Sequence, residues 1–328
     1  MNLSGTRLLE RQRGVGCNQE LRNKTLQITS FPDFLISRFI LLSAFVSLCL
    51  IPVVAHAQGA MGFLEQGAAA EQAGDFDKAI ANYSEAIRLN PKFMIAYIER
   101  GNAYEDQGNH DKAIADYTSA IKIDPGNILA YISRSTAYAA KGMYDPAIED
   151  DTKVINLNPG SGGYYYDRGD HYERKGDHDK AIADFDEAIR IDPKDPFPYY
   201  GRGNSFRAKG TYDRASADYT TALQLQPDFS QALREYAWLL ATCPWRELRD
   251  GKKAAEYATH ACEMTHWKDP GCVDTLAAAC AEAGDFDSAV KYAQQYLATP
   301  GLAEKAAAAA KARLVLYQAH QAYHEEGK

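Results

Sequence analysis

Three columns of residues recur every 34 positions along this chain. Ala79, Ala113, Ala147, Ala181 and Ala215 form one, Gly74, Gly108, Gly142, Gly176 and Gly210 a second, and Pro91, Pro125, Pro159, Pro193 and Pro227 a third. Self-similarity at a fixed period of this length means a stack of like supersecondary units, each packed on its neighbours. It overrides the ordinary inference that 328 residues make two globular domains.

Residues 94–127 show what the unit is. Ile95, Ile98, Ala103 and Tyr104 fall at helical spacing, so 94–107 is expected to be an amphipathic helix, A. Gly108 follows, where a left-handed residue ends a helix at little steric cost. Asp111 is expected to cap the next helix through its side chain, as are Asp77, Asp145, Asp179, Asp213 and Asp287. Helix B runs from Lys112 to Ile123 with Ala113, Tyr117 and Ala120 on one face. Asp124-Pro125 stops it, because the residue before proline is pushed out of helical geometry. One such hairpin buries too little apolar surface to fold alone, whereas a stack buries a continuous core.

The order of residues resembles the tetratricopeptide repeat. One copy reads Gly101, Tyr104, Gly108, His110, Ala113, Tyr117, Ala120, Pro125; the next reads Ser135, Tyr138, Gly142, Tyr144, Ala147, Asp151, Val154, Pro159. Then come Gly169, Tyr172, Gly176, His178, Ala181, Phe185, Ala188, Pro193, and Gly203, Phe206, Gly210, Tyr212, Ala215, Tyr219, Ala222, Pro227. His110, His178 and Asp151 stand where the family has aromatics. The resemblance implies an all-α, right-handed α-solenoid of about seven helix-turn-helix repeats closed by a C-terminal capping helix. Five regular units fill 60–229, at 60–93, 94–127, 128–161, 162–195 and 196–229. A degenerate sixth unit with an insertion occupies 230–269, a seventh 270–300, and an alanine-rich capping helix 302–320.

Comparison of the copies exposes a coupled pair. Arg100, Arg134, Arg168 and Arg202 in helix A are each followed 16 residues later by Asp116, Asp150, Asp184 and Asp218 in helix B. Where one position loses its charge, so does the other: Gln66 with Asn82, Tyr236 with Tyr257, Leu276 with Tyr292. The two positions are expected to touch as an ion pair within each repeat. The competing reading, that these arginines take an anionic ligand, is the weaker one.

Residues 1–57 are different in kind. Arg38 precedes an apolar run, Phe39 to Ala55, and Ala55-His56-Ala57 forms an A-x-A site ahead of Gln58. This is the order of a secretory signal, with cleavage expected between Ala57 and Gln58. The alternative is a retained single-span anchor, for which 17 residues containing Pro52 is the short limit. Either way the repeats are expected outside the cytoplasm, periplasmic or secreted. A net charge of -8 gives no encouragement to a nucleic-acid partner, and a membrane partner follows only if the anchor is kept.

In the sixth copy five residues are inserted around Cys243-Pro244-Trp245, either a local bulge at the solenoid edge or a place for function. Cys243, Cys262, Cys272 and Cys280 all lie in copies six and seven. In an exported protein an even set suggests disulfides. Cys272 and Cys280 share a helix about 12 Å apart, which excludes them as a pair. Helix order favours Cys262 with Cys272 and Cys243 with Cys280; four buried free thiols are the other reading. The spacing of Cys243, Cys262, His266 and Cys272 matches no closed zinc motif, so no metal is expected.

No nucleophile–base–acid set and no phosphate loop is suggested, and no cofactor is expected. The family resemblance implies a non-enzymatic scaffold that binds a protein or peptide in a concave groove lined by helix A. Mapped onto this chain, the groove is lined by Asn102, Glu105, Thr136, Tyr166, Asp170, Tyr200, Asn204 and Arg207. Asn102 and Asn204 are expected to bond an extended backbone, and Tyr166 and Tyr200 to supply low-entropy contact area. The lysine of the family's carboxylate clamp is missing, since Ile98, Ile132, Tyr166 and Tyr200 hold its place. A membrane-tethered assembly factor and an accessory subunit of an enzyme remain as alternatives.

Overall fold

The computed structural model describes residues 59–327; the leader, its apolar run and the Ala57/Gln58 site lie outside the described residues. Helix A of each regular repeat has room for about three and a half turns before glycine ends it. Gly108 takes φ 73°, the left-handed region an L side chain avoids, and Asn109 N–H then bonds back to Tyr104 O at 2.8 Å. Helix B ends as the prolines require: Asp124 is extended (φ -133°, ψ 97°) immediately before Pro125.

The structure divides at Pro159/Gly160 into two compact units. The first holds helices at 59–72, Phe76–Leu89, Met94–Asp106, His110–Ile123, Ile128–Ala140 and Tyr144–Leu157, three A/B pairs. The second holds Gly162–Lys175, His178–Ile191, Pro196–Ala208, Tyr212–Leu225, Ser230–Thr242, Gly251–Met264, Pro270–Glu282 and Phe286–Leu297, four pairs. A last helix, Glu304–Gln318, packs on Phe286–Leu297. Among the described residues there is no strand, and the chain is an all-α solenoid of repeats.

The cap lies two residues before the one expected. Asp75, Asn109, Asp177 and Asp285 accept from the backbone N–H groups of Lys78, Lys112, Lys180 and Ser288. The column Asp77, Asp111, Asp145, Asp179, Asp213 and Asp287 sits inside the first turn. There a carboxylate meets the positive end of the helix dipole. It also reaches the following repeat: Lys141 bonds Asp111, Lys209 bonds Asp179, and Gln107 Nε2 bonds Asp77 Oδ1 at 2.8 Å.

Packing within a repeat is ring against glycine. Ala79, Ala113, Ala147, Ala181 and Ala215 are wholly buried, and beside them Tyr83, Tyr117, Phe185 and Tyr219 are buried too. A Cβ at Gly101 would stand 2.6 Å from the Tyr117 ring, and one at Gly203 2.9 Å from Tyr219, so the small residue is the seat of the ring. Burying each ring is worth about 2–3 kcal/mol. The third repeat substitutes a polar version of the same contact. Asp151, which replaces the aromatic, is buried, and Ser135 Oγ in the glycine position donates to its Oδ1 at 2.5 Å.

The insertion is a closed turn. Cys243 leaves the helix (φ -53°, ψ 134°), Arg246–Leu248 makes one 3-10 turn, and Asp250 N–H returns to Leu240 O at 3.0 Å. Asp250 caps the next helix at Lys253 N–H. Gly251 is forced by close approach, since a Cβ there would lie 2.3 Å from Ala283 N. The turn is therefore a clamp between successive A helices as well as a bulge.

Candidate functional site: the A-helix face

The four arginine–aspartate pairs are bidentate. Arg100 Nε and Nη2 reach Asp116 at 2.8 and 2.7 Å, Arg134 reaches Asp150 at 2.7 and 2.7 Å, Arg168 reaches Asp184 at 2.8 and 2.7 Å, and Arg202 reaches Asp218 at 2.8 and 2.7 Å. The third nitrogen ties the preceding B helix: Arg100 to Ser84 at 2.9 Å, Arg134 to Thr118 at 3.0 Å, and Arg202 to Asp186. Tyrosines three residues earlier (Tyr97, Tyr131, Tyr165, Tyr199) lie under the guanidinium groups. With both carboxylate oxygens and the ring engaged, these arginines hold helix to helix. Burial pushes the Asp150 and Asp218 carboxyls above the ordinary range in spite of their arginines.

In the first unit the polar groove residues are already occupied. Asn102 Oδ1 accepts from the buried Tyr117 hydroxyl at 2.9 Å, and its Nδ2 donates to Glu99 at 3.0 Å. Glu105 meets His110 Nδ1 at 3.0 Å, and the exposed Thr136 bonds its own helix at Ile132 O. Ile98, in the clamp column, is core. In the second unit Asn204 likewise accepts from Tyr219 at 2.7 Å. The two asparagines expected to bond an extended backbone thus turn their carbonyls to the core tyrosine of helix B. A buried phenol needs a partner, and the A-helix amide is the nearest.

Tyr166 and Tyr200 belong to an aromatic ladder. Tyr166 lies 5.7 Å from Phe185 and 6.2 Å from Phe197; Phe229 lies 4.9 Å from Phe197 and 5.0 Å from Tyr200. Burial pushes the Tyr200 hydroxyl up to about 12. Asp170 pairs with Arg174 at 2.7 Å, and burial next to Asp170 raises Glu173 to about 7.

Arg207 opens onto groups outside the mapped groove residues. Successive A helices bring Arg207, Arg234, Glu235, Trp238, Gly271, Asp274 and Thr275 around an open cleft of about 240 Å³. Charges alternate across it. Glu235 lies 3.4 Å from Arg207 and 2.8 Å from Arg234; Asp269 lies 3.3 Å from Arg234; Arg313 of the last helix meets both oxygens of Asp274 at 2.7 Å. Burial pushes Glu235 up, but Arg234 and Arg207 hold it below the usual carboxylate value. Burial acts on Arg207 in the opposite sense, and Glu235, Tyr219 and Glu325 keep it above its ordinary value.

The C-terminal segment lies in this cleft. His320, in the left-handed region at φ 56°, turns the chain back, and Gln321 N–H bonds Leu316 O at 2.9 Å. Glu325 N–H donates to Thr242 O at 2.7 Å, and Trp238 Nε1 donates to Glu325 Oε1 at 2.7 Å, with Arg207 Nη1 3.6 Å from the same oxygen. His324 reaches Glu282 at 2.7 Å, and Tyr323 lies 6.4 Å from Trp238 with Arg313 over it at 5.8 Å.

All four described cysteines are free, so neither expected disulfide is present. The inserted turn carries Cys243 past the helix end, beside Trp245, Arg249 and Glu325, while Cys280 feels Asp285 and Cys262. Cys262 and Cys272 do approach, as thiols: hydrogen bonding to Cys262, then burial, push the Cys272 thiol well up. Burial raises Cys280 to about 11.

A family model described as tetratricopeptide repeat matches residues 64–128 and 200–242, and a second of the same description matches 162–195. The chain is a tetratricopeptide-repeat protein. No curated protein matches its sequence. Among solved structures, a tetratricopeptide repeat protein from Parabacteroides merdae is 17% identical with a TM-score of 0.58, covering 80% of this chain and 99% of that one. The anaphase-promoting-complex hetero-tetramer Cut9-Hcn1 is 20% identical with a TM-score of 0.53, covering 71% of this chain and 46% of that one. A MamA protein is 26% identical over 53% of this chain and 95% of its own, with a TM-score of 0.49. These likenesses concern the fold. No helix among the described residues is long and apolar enough to cross a membrane.

Proposed function

We propose that this tetratricopeptide-repeat protein is a non-enzymatic scaffold that binds a peptide or protein segment along its A-helix face, outside the cytoplasm. The observation that carries the reading is the cleft at Arg207, Arg234 and Trp238, where residues 321–327 already meet the A-helix face through one backbone bond, Glu325 N–H to Thr242 O, and through the Glu325 and His324 side chains. A face that satisfies a passing chain through a backbone acceptor, an indole N–H and guanidinium groups is chemically suited to peptide recognition. The groups that would otherwise suggest chemistry have structural employment: the aspartates pair with arginines or start helices, and the cysteines are buried.

A photo-crosslinking residue at Thr136 or Asp170 on the A-helix face, compared with one at Arg190 on a B helix, tests the binding surface. One protein captured from the A-helix positions and not from Arg190 is the expected result; equal capture from Arg190 sinks the reading. Export is supported by the order Arg38, apolar run, Ala55-His56-Ala57. Intact mass with fractionation decides its form. A chain starting at Gln58 in the soluble envelope fraction is a free scaffold, and one retaining 39–55 in the membrane fraction is a tethered one. A full-length chain in the cytoplasm refutes export.

A further inference from the structure

The cleft in the second unit is occupied at one end and open at the other. Glu325 fills the Trp238–Arg207 end, yet about 240 Å³ between Arg234, Gly271, Asp274 and Thr275 is left. The occupant is also lightly held. Past Gln321 its backbone is fastened at Glu325 N–H, and its entry turn places a non-glycine residue, His320, in the left-handed region. The apolar contribution comes from Ala322 and Tyr323, which pack against the core cluster at the cleft wall. Most of the side chains it satisfies do not depend on it: Arg207 keeps Glu235, Arg313 keeps Asp274, Glu282 keeps Arg249, and Trp238 lines the open cleft, so the buried Thr242 carbonyl is the acceptor a replacement must serve.

We propose that residues 321–327 are an exchangeable occupant of this cleft, held there in cis, and that the partner displacing them is a peptide segment with an aromatic residue two positions ahead of a glutamate. This rests on the A-helix face being a peptide-binding surface, and it specifies the ligand and the gate. The chemistry is read from the seated chain. The aromatic ring stands where Tyr323 does, against Trp238 and under Arg313; the glutamate takes Trp238 Nε1 and Arg207; the backbone N–H of that glutamate takes Thr242 O. A partner that continues past the glutamate gains what the tail leaves unused, the space beside Arg234, Gly271 and Thr275. Being tethered, the tail competes at high effective concentration, so an isolated peptide of the same sequence binds the intact chain poorly.

The test uses the full chain with its tail released by Tyr323→Ala and Glu325→Ala, and a fluorescein-labelled peptide Gln-Ala-Tyr-His-Glu-Glu-Gly read by anisotropy. The released chain is expected to bind at least tenfold tighter than the unaltered one, and a peptide with alanine for its first glutamate is expected to bind at least tenfold weaker. Equal binding to both chains, or no binding by a released chain whose melting temperature is unchanged, overturns the proposal. Hydrogen exchange on the unaltered chain gives a second reading. Amides of 322–326 exchanging well ahead of those of Ser230–Thr242 support exchange of the tail, and equal protection makes it a fixed part of the fold. A dimer that forms in the unaltered chain and disappears on tail release makes a second copy the occupant and overturns the stated partner. Crosslinking at Thr136 separates the two levels, since capture there with no peptide binding here rejects this inference alone.

Discussion

Arg134 and Asp150 provide the sharpest quantitative test of how the repeats are held. Asp150 has 6% of its side chain exposed and Arg134 17%, with two nitrogen–oxygen contacts of 2.7 Å. Arg134→Met leaves a buried carboxylate without its two charged donors, and also frees Thr118. The loss is expected at about 3 kcal/mol, the lower end for breaking a buried pair, because Arg134 retains some solvent. Asp150→Met strands a guanidinium that keeps Thr118 and the Tyr131 and Tyr138 rings, so about 2 kcal/mol is expected. Removing both removes the mutual dependence. Burial already outweighs Arg134 at the Asp150 carboxyl, so the double variant is expected to lose only about 1–2 kcal/mol. The coupling is then about 3–4 kcal/mol. A repeat array does not unfold strictly in two states, so the assay is native-state hydrogen exchange of Ile128–Ala140 and Tyr144–Leu157 rather than a global midpoint. Additive single losses would refute the pairing as the reason these two columns change together.

Three further outcomes follow from the same geometry. Glu173, raised to about 7 by burial and Asp170, binds its proton more tightly folded than unfolded, so its contribution to stability is present below about pH 5 and falls away as pH rises through 7. The shift corresponds to about 3 kcal/mol at most; partial exposure reduces this to about 1–2, and Glu173→Gln is expected to recover it at pH 8 and nothing at pH 5 in urea melts. Gly101→Ala, with its Cβ 2.6 Å from the Tyr117 ring, is expected to cost about 1–3 kcal/mol, read as a lower melting temperature with helix content kept. The thiols of Cys243, Cys262, Cys272 and Cys280, buried and with Cys272 and Cys280 well above neutral, are expected to stay unmodified by a thiol reagent in native buffer and to react in urea; rapid native labelling would contradict their burial.

The fold was legible because its determinants are local and repeated. A glycine that must be left-handed, a proline that must follow an extended residue and a ring that needs a glycine opposite it each recur at 34 residues, so periodicity amplifies them. The capping residue was misread for the same reason. Asp111 and its equivalents form an unbroken column, while the true cap varies as Asp75, Asn109, Met143, Asp177, Thr211 and Asp285. Regularity reported the stronger constraint, contact with the next repeat, and the cap tolerates residues with no side-chain bond at all. Ser135 with Asp151 makes the complementary point: two departures from pattern in one repeat compensate each other across helices.

The cleft was less legible, and the reason can be located. The groove columns run Ile98, Ile132, Tyr166, Tyr200 and Asn102, Thr136, Asp170, Asn204, and one more period lands on Arg234 and Trp238. Both lie in the irregular sixth repeat, where the inserted turn breaks the register only after Thr242, so the columns hold for one repeat longer than the irregularity suggests. Arg234-Glu235 inside an otherwise apolar helix was the available signal, since adjacent opposite charges there need partners on a neighbouring A helix, and Arg207 and Asp269 are those partners. Glu325 carried no such mark. Its place depends on a reversal at His320 and on the last-turn carbonyl of Thr242, where the inserted turn takes the place of the usual glycine ending. A surface periodic along the chain is readable from spacing, whereas a segment that folds back onto it is defined by the one repeat that departs from the period.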